Sequence, residues 1–431
     1  MPSPNLSQSY ADGECGRGTY VWLALIVAAY LALALAYARA TPAWQAPDEP
    51  AHYNYVAYLA EHAQLPVLQP GDYPAGKVPI GPEVRLTDIS DFRYEAHQPP
   101  LFYALAAVLF KLHPTVFALR ALSALFGAAL LPVAFACARL TLLARPWLWL
   151  GIAAFAGFIP MHLFVAGSIE NDSLADLVLS LLVLAYLALA TGWQNRWRWA
   201  AVGLLLGLAL LTKVTIYPAA VLLFSLSLWE RAGERARAAG TALAVAAAVA
   251  GWSFIRNGLT YGWSDLLVQG RQAAVAGSQV QTGTFGIAEL WRFVATSFHS
   301  FWGQFGWMSV PLSEREYQAL IGLTALAFLG WMVFLARRGS LTLPSPAAAG
   351  EGLFLTWLGV LAGDLAYNLK FVQPQGRYLL PALVPIAFFY VCGFAALFPR
   401  RARPAAVGLL SVGLLAFSAY ALQRDLIPSF R

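Results

Sequence analysis

Apolar residues along this chain form long runs that are separated by short polar connections. A helix that crosses a membrane needs about 20 mostly apolar residues, because its backbone polar groups find no other partner in lipid. The pattern therefore predicts an all-α integral membrane protein of about eleven transmembrane helices, with juxtamembrane helices outside the membrane. The predicted spans are residues 20–39, 117–138, 147–167, 173–191, 198–212, 214–229, 239–255, 317–336, 353–369, 378–398 and 404–421.

The composition agrees with this fold class. Of 431 residues, 59% are hydrophobic and 12% are charged, whereas a soluble domain carries roughly 25% charged residues. The formal net charge of +6 comes from basic residues in short clusters between apolar runs. That arrangement is typical of membrane topology, so no nucleic-acid partner is expected. The three cysteines, Cys15, Cys137 and Cys392, indicate no disulfide framework.

Paired or tripled arginines in alternate connections predict the orientation. Because cytoplasmic loops of membrane proteins are enriched in Lys and Arg, these connections should be cytoplasmic. Residues 1–19 are then a cytoplasmic tail that precedes a retained first helix, residues 20–431 form one transmembrane domain, and Ser340–Gly350 is a cytoplasmic linker. For these alternate connections to be cytoplasmic, the 14-residue run Pro99–Leu112 must not span the membrane. If this run spans, the arginine-rich connections lie on the outside. The clusters are Arg139 and Arg145; Arg196 and Arg198; Arg231, Arg235 and Arg237; Arg337 and Arg338; and Arg400, Arg401 and Arg403.

Two long segments then lie on the external side: residues 40–115, the first external segment, and residues 257–317, the second external segment. Both are rich in Trp, Tyr, Gln and Pro. Long connections are uncommon unless they serve a function, so a polar ligand at the membrane edge is expected here. The aromatic stretch Phe301–Trp307 fits either an interfacial anchor or a surface that stacks on a sugar or lipid chain.

The most distinctive motif is Pro47–Tyr53, which follows the first span. Asp48 or Glu49 can cap a helix with Pro50 in its first turn, and this helix should extend to about Glu61. On one interpretation the two acids only cap the helix. On the other, one carboxylate is a general base whose pKa is raised by its acidic neighbour.

Glu95 and His97 lie at the far end of the same segment, where the chain returns to the membrane. Together with Asp48 and His52 they offer carboxylate and imidazole ligands for a divalent cation, although their spacing matches no known metal motif. The alternative is a helix-capping acid and a solvated histidine.

Three basic residues stand at the external ends of predicted helices: Lys213, Arg256 and Arg377. Single basic residues at such positions commonly extend to the interface. Three on one face, opposite an acidic segment, equally predict an anion site, where arginine binds phosphate bidentately and lysine supplies a point charge.

The polar stretch Ser168–Ser173 separates two spans on the external side. Glu170 or Asp172 could contact a sugar or an acceptor amine. A simple turn in which Asn171 and Asp172 cap the next helix explains the same residues.

In this order the motifs resemble the GT-C superfamily of polytopic glycosyltransferases, in particular bacterial relatives of protein O-mannosyltransferases and lipid A aminoarabinose transferases. The resemblance covers most of the chain. It consists of an Asp-Glu pair after the first helix, an acidic-His-Pro-Pro-Leu segment, an Asn-Asp turn, Leu-Thr-Lys, Arg-Asn and Gly-Arg-Tyr: Asp48–Glu49, Glu95–Leu101, Asn171–Asp172, Leu211–Lys213, Arg256–Asn257 and Gly376–Tyr378.

The resemblance implies an enzyme that uses a polyprenyl-phosphate sugar as donor, in contact with membrane lipids, on the external face of a bacterial inner membrane. Asp48 would be the catalytic base with Glu49 beside it, and Lys213, Arg256 and Arg377 would hold the donor phosphate. One departure is that Gln98 separates His97 from the proline of the re-entry segment. No cofactor is firmly implied, and the acceptor is not identified.

Two other functions fit an integral membrane protein: a transporter or flippase of lipid-linked sugars, and a non-catalytic subunit of a polysaccharide assembly complex. Transporters typically show internal repeats and ionisable groups near the middle of the membrane. Here the charges lie at external helix ends and no repeat is evident, which favours the enzyme.

Overall fold

The computed structural model describes residues 16–79, 81–142, 145–230, 232–280, 286–336 and 346–431, and it consists almost entirely of helices. The helices are α1 (Arg17–Ala40), α2 (Glu49–His62), α3 (Leu101–Leu112), α4 (Val116–Thr141), α5 (Pro146–Gly157), α6 (Pro160–Ala166), α7 (Asp172–Ala190), α8 (Arg198–Leu210), α9 (Tyr217–Glu230), α10 (Arg235–Tyr261), α11 (Gln269–Val275), α12 (Ile287–Trp302), α13 (Glu314–Ala336), α14 (Pro346–Asn368), α15 (Leu383–Ala396), α16 (Arg403–Ala421) and α17 (Ile427–Ser429). Short 3-10 turns are Ala75–Lys77, Tyr94–His97, Val214–Ile216, Ala232–Glu234, Gly277–Gln279 and Gly376–Ala382, and a π-helical turn covers Leu422–Leu426. Two antiparallel strands, β1 (Gln304–Phe305) and β2 (Val310–Pro311), pair Gln304 with Pro311 and Phe305 with Val310.

The predicted fold class is confirmed, and each of the eleven predicted spans is helical. Within the described residues, seven helices are long and apolar enough to cross a membrane, or eight if one bent pair counts as a single span. α8 and the helical stretch Val214–Glu230 are apolar but shorter. α14 is 23 residues long but is not among the seven.

The predicted span over 147–167 is not one continuous helix. α5 ends at Gly157, α6 begins at Pro160, and the two helices meet at 62°. Pro160 has no backbone N–H to donate to the preceding turn and its ring restricts the residue before it, so Ile159 is extended and the helix breaks. Hydropathy alone does not reveal this break.

The run that the predicted orientation requires not to span forms α3, of 12 residues. At 1.5 Å per residue this helix covers about 18 Å, well short of a hydrocarbon core of about 30 Å. Its outward side chains Leu105, Val108 and Leu112 are exposed. α3 therefore has the length of an interfacial helix.

Contacts at one end of the bundle join several arginine-rich connections. Arg139, at the end of α4, donates to the hydroxyl of Tyr20 near the start of α1 over 3.2 Å. Arg198 pairs with Glu234 from the next arginine-rich connection at 2.6 Å. The start of α1 thus lies beside the end of α4, and the connection before α8 lies beside the connection before α10. Of the predicted cytoplasmic features, Arg231, Arg337, Arg338, Cys15, residues 1–15 of the tail and residues 340–345 of the linker lie outside the described residues.

α8 and α10 approach each other closely through small residues. A Cβ on Gly203 would lie 2.3 Å from the backbone oxygen of Ala242, and one on Gly207 would lie 2.7 Å from Val249. Glycines four residues apart therefore form a flat strip on α8 against which α10 packs, as small residues do between membrane helices. This packing fixes the end of α8, from which Lys213 follows.

Candidate active site

A cavity of about 250 Å³ opens where both external segments meet the ends of several helices. Its walls come from the start of α2, the Tyr94–His97 turn, residues 213–218, α11 with the turn after it, and the connection between α14 and α15. Of the residues predicted to be functional, seven line it: Asp48, His52, Glu95, His97, Glu170, Lys213 and Arg377.

Asp48 lies at the entrance to α2 with φ of 64°, a left-handed conformation that is uncommon for a residue other than glycine. Its side chain makes no capping hydrogen bond. Instead its Oδ1 accepts from the Tyr94 hydroxyl over 2.8 Å, and its Oδ2 pairs with Arg377. The prediction that Asp48 caps the helix is therefore wrong, because both oxygens are directed toward groups of the cavity.

The environment of Asp48 also reverses the predicted shift of its pKa. Burial acts to raise the pKa of this carboxyl, but the Arg377 guanidinium, with smaller contributions from His52 and the Tyr94 hydroxyl, holds it below its ordinary value. The side chain of Glu49, the acidic neighbour expected to raise this pKa, points away from Asp48 and pairs with Arg120. Asp48 is thus ionised at neutral pH, and its side chain is 20% exposed.

Glu49 lies behind the cavity and does not line it. Its carboxylate is fully buried and accepts from Arg120 of α4 through both oxygens, at 2.7 and 2.6 Å. The backbone N–H groups of Trp44 and Ile169 also donate to it. Glu49 therefore does not cap α2, and its acceptor sites are occupied by protein donors.

A buried ion-pair network forms the floor of the cavity. Glu170, in the turn between α6 and α7, contacts Arg377 Nη1 at 2.9 Å and His52 Nε2 at 3.1 Å. The other nitrogen of His52 contacts the Tyr103 hydroxyl at 2.7 Å. Burial alone would lower the pKa of His52, but Glu170, with Glu95 and Asp48, outweighs it and raises that pKa.

Lys213 reaches the same floor from the end of α8. Its ammonium group pairs with Asp172 at the start of α7 and lies 5.6 Å from the centre of the Tyr378 ring. The second oxygen of Asp172 is buried without a partner among the described residues. Asp172 holds Lys213 in place rather than lining the cavity itself. The preceding Asn171 stands at the N-cap position of α7, but its side chain makes no capping hydrogen bond there.

Glu95 and His97 line the same cavity, on the Tyr94–His97 turn. One oxygen of Glu95 is buried without a partner among the described residues, whereas His97 Nδ1 contacts the Tyr94 carbonyl at 2.8 Å. No group of three or more His, Cys, Asp and Glu side chains in the described part of the chain is arranged to hold a metal ion. The side chains predicted to bind a divalent cation together (Asp48, His52, Glu95 and His97) therefore do not form a metal site in this structure.

Arg256 lies away from the cavity, unlike Lys213 and Arg377. Its guanidinium donates to the backbone carbonyl of Pro66 at 2.6 Å and packs 5.5 Å from the Tyr261 ring centre. These contacts attach the first external segment to the end of α10.

The aromatic stretch Phe301–Trp307 does not line this cavity, but Phe301 lines a separate apolar groove between α12 and α15. Trp302 and Phe305 are fully buried in the core, and Trp307 donates to the Trp44 carbonyl at 2.9 Å. Trp302 and Phe305 therefore contact the protein core, whereas Phe301 in the apolar groove keeps the predicted contact with a lipid chain open.

Sequence reasoning missed two parts of the site. It did not identify Arg120, although an arginine inside an apolar run is a recognised sign of a buried pair. It also missed the glutamines of the cavity wall, Gln272, Gln279 and Gln373. The abundance of Gln in the second external segment was a sequence signal for Gln272 and Gln279, whereas Gln373 lies outside both external segments.

The comparisons with known proteins agree with this architecture. The oligosaccharyltransferase of Archaeoglobus fulgidus, solved with zinc and sulfate, matches with a TM-score of 0.50 at 14% identity, over 91% of this chain and 52% of that chain. This chain thus spans about half the length of the archaeal protein. The likeness shows the fold alone: this chain shares the all-α, polytopic membrane architecture of that protein.

Two further structures match less closely in fold. ArnT of Cupriavidus metallidurans gives a TM-score of 0.49 both with undecaprenyl phosphate, at 16% identity, and in its apo state, at 13%. These matches cover 95% and 96% of this chain and 74% of the other. No curated protein matches the sequence.

A family model described as "Predicted membrane protein (DUF2142)" matches residues 72–386, well over half of the chain. The chain belongs to this DUF2142 family.

Proposed function

We propose that this protein is a glycosyltransferase that moves a sugar from a polyprenyl-phosphate donor to an acceptor hydroxyl or amine, with Asp48 as general base. The observation that carries the proposal is that Asp48, Lys213 and Arg377, which come from distant parts of the sequence, line one cavity. The reaction needs a general base for the acceptor and positive charge for the donor phosphate. The carboxylate supplies the first and the two cations supply the second.

Lys213 and Arg377 are suited to hold the donor phosphate. Arginine can bind phosphate through two parallel hydrogen bonds, and lysine adds a compact charge. Both cations are held by carboxylates, Lys213 by Asp172 and Arg377 by Asp48 and Glu170. A phosphate that binds Arg377 competes with Asp48 for it, so donor binding also frees the Asp48 carboxylate.

In the chemical step, Asp48 takes the proton of the acceptor O–H or N–H as that atom attacks the anomeric carbon. The bond between the anomeric carbon and the phosphate oxygen breaks, its electron pair stays on the phosphate, and the configuration inverts. Lys213 and Arg377 stabilise the negative charge that develops there. The products are the glycosylated acceptor and polyprenyl phosphate, and Asp48 returns its proton to water.

The polyprenyl chain has an apolar groove next to this site. The groove has a volume of about 580 Å³ and is lined by aromatic and aliphatic side chains of α12–α15, among them Trp331, Trp357 and Phe389. Tyr378 lines the polar cavity and the next residue, Leu379, lines the groove. A donor can therefore place its phosphate in one and its isoprenoid chain in the other.

We place the cavity on the external face of a bacterial inner membrane, with the N-terminus in the cytoplasm. α8 runs from Arg198 toward Lys213, and α15 leads from the Arg377 segment toward Arg400, so the cavity and the arginine-rich connections lie at opposite ends. The positive-inside rule then assigns the arginines to the cytoplasm.

Mass spectrometry of lipids that co-purify with the protein tests the donor class. Wild type should carry a polyprenyl-phosphate sugar, and Lys213→Ala should retain at least about tenfold less, because a charge-assisted hydrogen bond contributes roughly 1.5–3 kcal/mol. The matched control is Lys77→Ala, which removes an exposed lysine of the first external segment.

Equal retention by Lys213→Ala and wild type would remove Lys213 from the phosphate site. If no polyprenyl-phosphate sugar co-purifies with the wild-type protein and the protein also does not bind one that is added, the predicted donor class is contradicted. That result would favour a non-catalytic subunit.

A further inference from the structure

Part of the cavity wall is formed by a continuous chain of side-chain hydrogen bonds. The Tyr378 hydroxyl donates to Gln373 Oε1 at 2.8 Å, Gln373 Nε2 donates to Gln279 Oε1 at 2.7 Å, and Gln279 Nε2 contacts the Tyr73 hydroxyl at 2.7 Å. We call these four residues the amide–tyrosine chain. Gln279, Gln373 and Tyr378 line the cavity directly.

Backbone contacts between two segments hold the amide–tyrosine chain in place. Val372 N–H donates to the Gln279 carbonyl at 2.8 Å, and Val280 forms an isolated antiparallel bridge with Phe371. The second external segment is thereby attached to the connection between α14 and α15. Tyr73, which ends the chain, belongs to the first external segment.

Each glutamine of this chain is fixed in orientation yet retains hydrogen-bonding capacity. A glutamine amide has two N–H donors and an oxygen with two lone pairs. The contacts above use one donor and one lone pair each on Gln279 and Gln373. Each amide therefore presents one further donor and one further acceptor, at a position that its neighbours hold constant.

A fixed array of neutral donors and acceptors beside tyrosine rings matches the chemistry of a sugar. Every sugar hydroxyl donates one hydrogen bond and accepts others, and the C–H faces of the ring pack against aromatic side chains. Tyr378 also lies beside both cations of the floor: its ring centre is 5.3 Å from the Arg377 guanidinium carbon and 5.6 Å from the Lys213 ammonium group. The amide–tyrosine chain thus begins at the phosphate site and leads away from it.

We propose that the amide–tyrosine chain is the sugar subsite and that it selects an uncharged, polyhydroxylated ring. This inference rests on the proposed function and deepens it. The four side chains of the amide–tyrosine chain include no carboxylate that could pair with a sugar ammonium group, and Lys370, which also lines the cavity and donates to the Gln269 carbonyl at 3.0 Å, is a cation that would repel one.

The test compares the affinity of the full-length protein in nanodiscs for two probes, polyprenyl phosphate and polyprenyl-phosphate hexose. Wild type should bind the hexose-bearing lipid at least tenfold more tightly. In Gln279→Met and Gln373→Met, which keep the side-chain length and remove the hydrogen bonds, this preference should fall to within twofold. Affinity for bare polyprenyl phosphate should not change, which also verifies that the variants are folded.

Gln318→Met is the matched control, because Gln318 is exposed on α13 and lies outside the cavity. It should keep the wild-type preference. A second arm measures binding of a methyl hexoside in the presence of saturating polyprenyl phosphate. Loss of that binding in the glutamine variants, with the lipid preference unchanged, would assign the subsite to the sugar of an acceptor instead of the donor.

The inference is overturned if both glutamine variants keep the wild-type lipid preference and the wild-type affinity for methyl hexoside. It is also overturned if wild type binds a polyprenyl-phosphate aminopentose as tightly as the hexose form. If wild type binds neither bare nor glycosylated polyprenyl phosphate, the proposed function itself fails, and the two failures are therefore distinguishable.

Discussion

Asp48 and Glu49 are adjacent in the sequence and each pairs with an arginine, yet the two pairs lie in different regions of the molecule. The Asp48–Arg377 pair faces the cavity, whereas the Glu49–Arg120 pair is buried behind it. Arg120 also donates to the carbonyls of Ala38 and Thr41, both at 2.6 Å, and so fastens the end of α1.

The difference between the pairs is one of accessibility rather than of chemistry. Side chains on consecutive residues at a helix start point in different directions, so one acid reaches the site and its neighbour reaches the core. A carboxylate whose acceptor positions are filled by buried donors maintains the fold. A carboxylate at the edge of a cavity, with an exchangeable partner, can carry out proton transfer.

The largest effect on stability is expected from Glu49→Gln. It leaves the Arg120 charge buried without its partner, which costs about 3–5 kcal/mol, whereas Asp48→Asn should cost at most about half as much. Melting temperatures in detergent measure both. Arg120 lines no part of the cavity, so the folded fraction of Glu49→Gln should still bind the donor lipid.

The double variant Glu49→Gln/Arg120→Met checks the cause, because removal of both charges should restore part of the lost stability. If Asp48→Asn lowers the melting temperature more than Glu49→Gln does, the distinction between a structural and a cavity-facing pair is wrong.

A smaller effect is expected in the dependence of stability on pH. The pKa of His52 is raised by Glu170, which outweighs the opposing effect of burial, so the folded protein binds this proton more tightly than the unfolded chain. The stabilisation is fully present below pH 6.5, the ordinary value, and is lost as the pH rises through the pKa of the folded protein. Melting temperature should therefore fall over that range, and His52→Gln should flatten the decline.

His62→Gln is the matched control, because His62 lies on the same helix and is exposed. It should keep the wild-type slope. An equal slope in His52→Gln and wild type would show that the His52–Glu170 contact does not contribute to stability.

The smallest effect is expected from Arg256→Ala. Because the guanidinium of Arg256 binds carbonyls of the first external segment and lies outside the cavity, donor affinity should stay within about twofold of wild type. A tenfold or greater loss in a titration with polyprenyl-phosphate hexose would return Arg256 to the phosphate site.

Hydropathy predicted a helix at each of the eleven apolar runs, because the requirement for about 20 apolar residues leaves a strong one-dimensional signal, but seven or eight helices of the described residues are long and apolar enough to span. It could not reveal the 62° break before Pro160, since the residues on both sides are equally apolar. α2 was also predictable, because Pro50 marks a helix start and the helix covers Glu49–His62.

Of the residues that form the site, the sequence could predict only those that lie within recognisable motifs. Asp48, Lys213 and Arg377 stand in short segments that resemble a known family, and the structure brings all three to one cavity. The partner of Glu49 depends on how α4 packs against α1, which no local pattern encodes. The contact between Gln279 and Gln373 joins residues 94 positions apart.

Glycosyl transfer by Asp48→Asn tests the central claim most directly. Vesicles from cells that lack the native gene would be supplied with each variant and a donor labelled in its sugar, and both bound donor and transferred label would be measured in the same preparation. The matched control is Asp91→Asn, which alters an exposed acid of the same external segment. We predict that Asp48→Asn keeps the donor but lowers transfer by about 10²–10⁴-fold, the contribution of a general base. Transfer at the wild-type rate in that variant would contradict the assignment of Asp48 as the base.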